Sequence, residues 1–269
     1  MTYNSQDTIR KTLQSLLDHW PSALSCHVYV IDNGSDSLRE KSPANSLPKG
    51  KSSAKDLPIE DLPGFHDDRF TFVASEHGNV GFGAAHNFVL PLLDSACHLI
   101  MNPDIVLLDD NSIPTLVSYL NGHPDVGMTV PQIVGDDGKL QYLCRRNPTV
   151  LDLFLRFFPG KLGTKRQDYH TMKDKNYTQS FEVEFASGCF MMIRTELFKK
   201  LGGFDERFFL YAEDADLTRR VNLTSKTVYV PEAIVRHGWQ RASYKNPRLT
   251  CIHMKSLFAY FGKWGFAFK

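Results

Sequence analysis

The groups in this chain able to do chemistry are carboxylates, one imidazole and a few glycine-rich turns. The densest acidic group is in "FLYAEDADLTRRV" (209–221), where Glu213, Asp214 and Asp216 follow the apolar run Phe208–Tyr211. Read as a helix beginning at Asp214, the segment puts Leu217 and Val221 on the face of Asp214, at i+3 and i+7. That face points inward, and a half-buried carboxylate has a raised pKa and becomes a better base. Asp216 falls elsewhere, within reach of Arg219 and Arg220, and reads as a solvated ion pair. All three acids also favour a helix N-terminus through its dipole.

A second group lies in "IMNPDIVLL" (100–108). A proline inside a strand removes a ladder donor, so Asn102-Pro103 breaks an apolar run and presents Asn102 and Asp104 there. A hard cation such as Mg²⁺ or Mn²⁺ takes oxygen ligands of this kind, with phosphates completing its shell. Asp32 closes the strand-like "VIDNGS"; at the carboxyl end of a parallel strand it can accept hydrogen bonds from a ribose or base, or it can form an Asx-turn. "GNVGFGAAHN" (78–87) has the spacing G-x-x-G-x-G, which fails the dinucleotide fingerprint. It still lets backbone N–H groups approach a ligand, although a tight strand-to-helix turn needs none. His237, in "IVRHGWQRAS", is open to a structural role or to contact with metal or phosphate.

These residues need elements to position them. Ile9, Leu13, Leu16, Leu17 and Trp20 recur at helical spacing. Strands are expected at Val28–Ile31, 69–75, 97–108 (broken at Asn102-Pro103), "VGMTVPQIV" and "FEVEFASGCFMMIR"; helices are expected over "AAHNFVLPLLDSA", with a break at Pro91, and near Glu196–Leu201. This rhythm predicts an α/β fold with a mainly parallel sheet. Residues 36–68, with four prolines and no period, read as a mobile loop, and 160–180 as polar and irregular. At the C-terminus, Leu257, Phe261, Trp264 and Phe268 share a helical face among Lys255, Lys263 and Lys269. That segment either docks on the domain or lies at a membrane surface.

Composition limits the alternatives. A chain of 269 residues with 42% hydrophobic and 23% charged residues can bury a full core. A net charge of +1 gives no electrostatic footprint for nucleic acid. Five scattered cysteines without a paired spacing point to reduced thiols and a cytoplasmic protein, and no apolar run approaches a membrane span.

In this order, "TYNS" (2–5), "DNGS" (32–35), "GNVGFGAAHN", "NPDI", "ASGCFMMIR", "GGFDERFFLYAEDADLTRRV" and a late histidine resemble the family 2 glycosyltransferases, and the "NPD" and "EDxDL" forms resemble their rhamnosyltransferase branch. The resemblance implies a GT-A (nucleotide-diphospho-sugar transferase) fold over 1–240, carrying the 36–68 loop, followed by an amphipathic, aromatic segment, 241–269. It implies Asp214 as general base of an inverting transfer and a nucleotide-sugar held by Thr2, Tyr3, Asp32, Asn79, Gly81, Gly83, Asn87, Asn102 and Glu213. A divalent cation, Mg²⁺ or Mn²⁺, would sit at Asp104 and His237. The implied donor is dTDP-rhamnose and the acceptor a lipid-linked glycan in bacterial surface polysaccharide synthesis, contacted by residues 140–180 and the C-terminal segment. The enzyme would work at the inner face of the plasma membrane, without nucleic acid. A UDP- or GDP-sugar hexosyltransferase and an inactive nucleotide-binding remnant are the alternatives. The chain departs from the family's pattern twice. Asn102 replaces the first acid of Asp-x-Asp, and no apolar strand stands directly before Thr2, so a start further upstream or a truncated chain is expected.

Overall fold

The computed structural model describes residues 1–2, 6–34, 61–152, 161–238 and 247–266. Helix α1 (Gln6–Asp18) buries Ile9, Leu13 and Leu16, the stripe expected from its period. It packs where strand β3 (Cys97–Met101) breaks and resumes as β4 (Ile105–Leu107). The Thr12 hydroxyl points between the carbonyls of Ile105 and Pro103, at 2.6 and 2.7 Å, and Ser15 Oγ accepts the Leu107 N–H at 3.2 Å. The break that carries Asp104 is therefore braced by a helix rather than left loose.

Strands β1 (Val28–Asp32) and β2 (Phe70–Ala74) pair in parallel. The helical region expected there divides before Pro91: the short helix α2 (Phe82–Asn87) ends at Asn87, and Pro91 lies within a single 3₁₀ turn, Leu90–Leu92. Helix α3 (Ser112–Gly122) leads into β5 (Val126–Val134), and β6 (Cys144–Arg145) follows. Helix α4 (Lys161–His170) occupies part of the stretch expected to be irregular. Its weak apolar stripe gives little sequence signal, but Arg166 anchors it to buried Asp152 at 2.6 Å. "FEVEFASGCFMMIR" is not one strand. It divides into β7 (Phe181–Glu182), β8 (Phe185–Ala186) and β9 (Phe190–Arg194), with a turn at Gly188 that faces Asp214. Helices α5 (Thr195–Lys200) and α6 (Glu213–Val221), strand β10 (Lys226–His237) and helix α7 (Pro247–Trp264) complete the order.

The main sheet runs β3-β9-β5-β10-β4, with β7 beside β10. The expected α/β architecture is present, but the sheet is mixed rather than mainly parallel. β5 and β10 are parallel, whereas β9 runs antiparallel to β3 and β5, and β10 antiparallel to β4 and β7. The sheet divides the core by the two-residue period of its strands. Phe190 and Met192 of β9 pack on the side of α1 and α3, while Met191 and Ile193 pack with α2, α5 and α6. Pro131 is tolerated inside β5 because β9 pairing has ended at Thr129 and β10 shifts register after Val230.

β1 pairs with β2 and meets Thr2 in a parallel bridge at Asp32, while β3 pairs with β9. Between β1 and β3 lies an apolar cavity of about 310 Å³, lined among others by Leu13, Val30, Leu99 and Met101. Of the expected loop, residues 35–60 are outside the described residues. Residues 61–68 are turned onto the core, with Leu62 buried. The C-terminal helix docks on the domain through Leu257, Tyr260 and Phe261; Phe268 is outside the described residues.

Candidate active site

The site is a rim of turns tied edge to edge by hydrogen bonds. At one end Thr2 N–H donates to Ile31 O at 2.7 Å and Asn33 N–H donates to Thr2 O at 2.8 Å, which seats Thr2 against buried Asp32. Tyr3 is outside the described residues. Asn33, which sequence reasoning did not single out, knits this turn to the glycine-rich one. Its amide donates to Asn79 Oδ1 and Gly81 O, both at 3.0 Å, and its carbonyl accepts from Val80 N–H at 3.0 Å. Gly34 has φ of 75°, and a Cβ there would lie 2.3 Å from the Gly78 backbone. The two turns touch only because Gly34 has no side chain.

The glycine-rich turn then meets the acidic segment. Phe82 N–H donates to Phe209 O at 2.8 Å, and Gly81, with φ of 99°, has no room for a Cβ against that same carbonyl. Two of the expected donor contacts have structural duties here. Asn87 bonds Phe204 through both ends of its amide, each at 2.9 Å, and also donates to Glu206. Gly83 gives Phe204 the space a Cβ would fill.

Tyr211 and Ala212 are both left-handed, with φ of 72° and 68°. Such a conformation costs a non-glycine residue roughly 1–3 kcal/mol. This turn starts α6 with Glu213 and Asp214 at its positive end. Asp214 is half-buried. Its Oδ2 accepts from Gly188 N–H at 3.0 Å and its Oδ1 from Ala215 N–H at 2.9 Å. Burial pushes its carboxyl above the ordinary range, against the pull of the Gly188 N–H and the Arg145 guanidinium. Burial and the Asp214 charge push Glu213 up further, and its Oε2 has no partner among the described residues. Leu217 and Val221 are fully buried on the inward side, as their spacing required.

Asp216 is not a solvated ion pair. It is fully buried, held by Arg220 at 2.7 Å, Lys263 at 2.6 Å and the Trp264 indole N–H at 2.8 Å. The i+4 arginine was legible in the sequence, but the covering helix 47 residues onward was not.

The Gly188-Cys189 backbone joins Asp214 to the strand break. Gly188 contacts Asp214, and Cys189 O accepts from Asn102 N–H at 2.9 Å. Burial pushes the Cys189 thiol up to about 12, and the charges of both Asp104 and Asp214 add to the shift. Both carboxylates thus lie within electrostatic reach of one side chain. Asp104 Oδ2 lies 3.3 Å from His237 Nε2, and His237 Nδ1 lies 3.1 Å from Gln141 Oε1. If Nδ1 carries the proton toward Gln141, a lone pair on Nε2 faces Asp104. Gln141 also donates to His237 O at 3.0 Å. No sequence signal marked Gln141, because its role depends on the return of β10.

Asn102 Oδ1 and Asp104 Oδ1 are buried without a partner among the described residues. The orphaned Asp104 oxygen, beside a held imidazole, fits a hard cation. No group of three or more His, Cys, Asp or Glu able to hold a metal is present among the described residues. Donor oxygens would therefore have to complete the shell.

This fold and arrangement define a glycosyltransferase of the GT-A class. The family profile of glycosyl transferase family 2 matches residues 1–202, and the chain belongs to that family. It is 27% identical over 199 residues to rhamnosyltransferase WbbL of Escherichia coli, covering 69% of this chain and 72% of the relative. It is 26% identical over 196 residues to N-acetylglucosaminyl-diphospho-decaprenol L-rhamnosyltransferase of Mycobacterium tuberculosis, covering 68% and 64%. Among solved structures, the mannosyltransferase PcManGT from Pyrobaculum calidifontis, with GDP-Man and Mn²⁺, superposes with a TM-score of 0.63 at 16% identity, covering 97% of this chain and 62% of that one. GalNAc-T7 with UDP, GalNAc and Mn²⁺ gives 0.59 at 16%, covering 87% and 41%. The chain spans less than two thirds of the length of both structural neighbours.

Proposed function

We propose that this protein transfers a sugar from a nucleoside diphosphate to an acceptor hydroxyl with inversion at the anomeric carbon. The observation that carries the reading is Asp214: a carboxylate with a raised pKa, fixed by two backbone N–H groups and joined through Gly188-Cys189 to the strand break at Asn102. Asp214 takes the acceptor proton as that oxygen attacks the anomeric carbon opposite the departing nucleotide, the arrangement of an inverting displacement. Thr2, Asp32 and the Asn79–Gly81 turn line the nucleoside end, with Tyr3 assigned there from sequence alone. Glu213, Asn102, Gly83 and Asn87 support the same rim. Asp104 and His237 would hold a divalent cation, Mg²⁺ or Mn²⁺. When bound, it would neutralise charge on the diphosphate leaving group.

For the donor, UDP- and GDP-sugars are the first reading, supported by the ligands named with the structural neighbours. L-Rhamnose from dTDP-rhamnose is the second, supported by both curated relatives. The acceptor is a lipid-linked glycan presented at the inner membrane face. No helix among the described residues is long and apolar enough to cross a membrane, so contact would be peripheral, through exposed Phe258 and Phe266 of the C-terminal segment. A donor panel with lipid-linked acceptor, read by NMR of the product anomer, tests donor and stereochemistry together. Asp214→Asn is expected to lower transfer by roughly 10²–10⁴-fold while nucleotide binding survives. Equal rates would remove Asp214 as the base.

A further inference from the structure

We propose that helix α7 is a positioning clamp for the base, and that Ser256, Lys263, Trp264 and Asp216 are positioning residues. The proposal rests on the assignment of Asp214 above. Four observations converge on it. The strained pair Tyr211-Ala212 directly precedes Glu213 and Asp214, so relaxation there would move the start of α6. Helix α7 grips the chain just before the acids: the Ser256 hydroxyl donates to Leu210 O at 2.8 Å, and the rings of His253 and Tyr211 stand 4.7 Å apart. It also grips the chain just after them. Lys263 Nζ bridges Asp216 at 2.6 Å and Asp205 at 2.7 Å, and Trp264 donates to Asp216 at 2.8 Å. Finally, the Arg219 guanidinium lies 4.5 Å over the Trp264 ring and bonds the Tyr260 hydroxyl at 3.3 Å.

None of these contacts uses Glu213 or Asp214. The helix fixes the backbone on both sides of the acids and leaves their carboxyls to the cleft. A buried ion pair adds little net stability but selects one register over its neighbours, and register matters here because a base displaced by about 1 Å can lose about 100-fold in rate. The fold needs α7 for its apolar face, Leu257, Tyr260 and Phe261. The polar contacts at Ser256, Lys263 and Trp264 are additional to that packing and fall where the base must be held.

The test compares the full chain with Lys263→Met, Ser256→Ala and the conservative Lys263→Arg. Transfer kinetics, UDP and GDP binding, and amide exchange across 209–216 are measured on each. Lys263→Met is expected to lower kcat about 10–100-fold with nucleotide affinity within about twofold, and to speed exchange at 209–216 about tenfold. Ser256→Ala, too small a change to unfold the chain, should show the same split more weakly, and Lys263→Arg should recover most of kcat. The clamp is overturned if kcat is unchanged while exchange rises, if kcat and nucleotide affinity fall together, or if exchange at 209–216 does not change. A wild-type chain that binds nucleotide but transfers nothing would remove the functional reading, and the exchange measurement would still decide whether α7 holds the turn.

Discussion

The acidic turn before α6 and the space between β1 and β3 are packed in different ways. At the acidic turn, Phe208, Ala212 and Ala215 pack with Leu257, Tyr260 and Phe261, and Asp216 has three partners. Between β1 and β3, by contrast, lies the apolar cavity of about 310 Å³. Two buried imidazole nitrogens, His86 Nε2 and His98 Nε2, have no partner beside it among the described residues. The difference shows where this fold holds its geometry fixed. The acidic turn is over-determined by side chains from distant elements, while the rim beside β1 is defined by backbone turns, Thr2 on Asp32 and Asn33 on Asn79–Gly81.

The contrast predicts that equal truncations have unequal effects. Leu257→Ala empties a buried site against the acidic turn and is expected to cost about 2–5 kcal/mol, a fall of roughly 10 °C in Tm. Leu99→Ala removes a side chain that already borders empty space and is expected to cost about 1 kcal/mol. Thermal unfolding of the two variants side by side checks this; equal losses would mean that the groove is as well packed as the α6–α7 interface.

The same contrast explains what could be read from the sequence. Local patterns were legible: the Ile9, Leu13, Leu16 stripe, the break at Asn102-Pro103 and the inward face of Leu217 and Val221 all depend on residues a few positions apart. The acid cluster could be placed at a helix start because its apolar neighbours set the helix phase. The fate of Asp216 could not be read, since Lys263 and Trp264 arrive from 47 and 48 residues away. Gln141 and Asn33 escaped notice for the same reason: an ordinary amide acquires a role only when another strand or turn comes back to it. The mixed strand directions were hidden because the apolar runs of β9 and β10 carry no mark of orientation.

Titration can sharpen the comparison, beginning with the acids. Burial and Asp214 raise the Glu213 pKa well above its usual value of 4.5. The folded chain therefore binds that proton more tightly than the unfolded chain does. Stability from this group is complete below about pH 4.5 and is lost as pH rises through the folded value. Glu213→Gln removes a buried charge with an unpartnered oxygen and is expected to stabilise the chain by about 1–3 kcal/mol at pH 7.5, with little effect at pH 4. A Tm that fell at pH 7.5 would show that the charge is compensated after all.

The groove end should respond with the opposite sign. His98 stacks on Phe198 at 5.4 Å, and burial lowers its pKa from 6.5 to about 4. Its folded state prefers the neutral ring, so the unfolded chain binds more protons between those values. Stability is then complete above pH 6.5 and is lost as pH falls through about 4. His98→Phe keeps the stacked ring and removes the titration. It is expected to gain on the order of 1–2 kcal/mol over the wild type at pH 5 and to unfold like it at pH 7.5. His86, shifted in the same direction by burial, would remain to titrate in that variant, so the acid limb should shrink rather than vanish. An unchanged pH dependence would mean that water reaches His98 through the groove and solvates the charged ring. In that case the space between β1 and β3 is a wet channel rather than an apolar cavity, and it differs from the acidic turn by hydration rather than by packing.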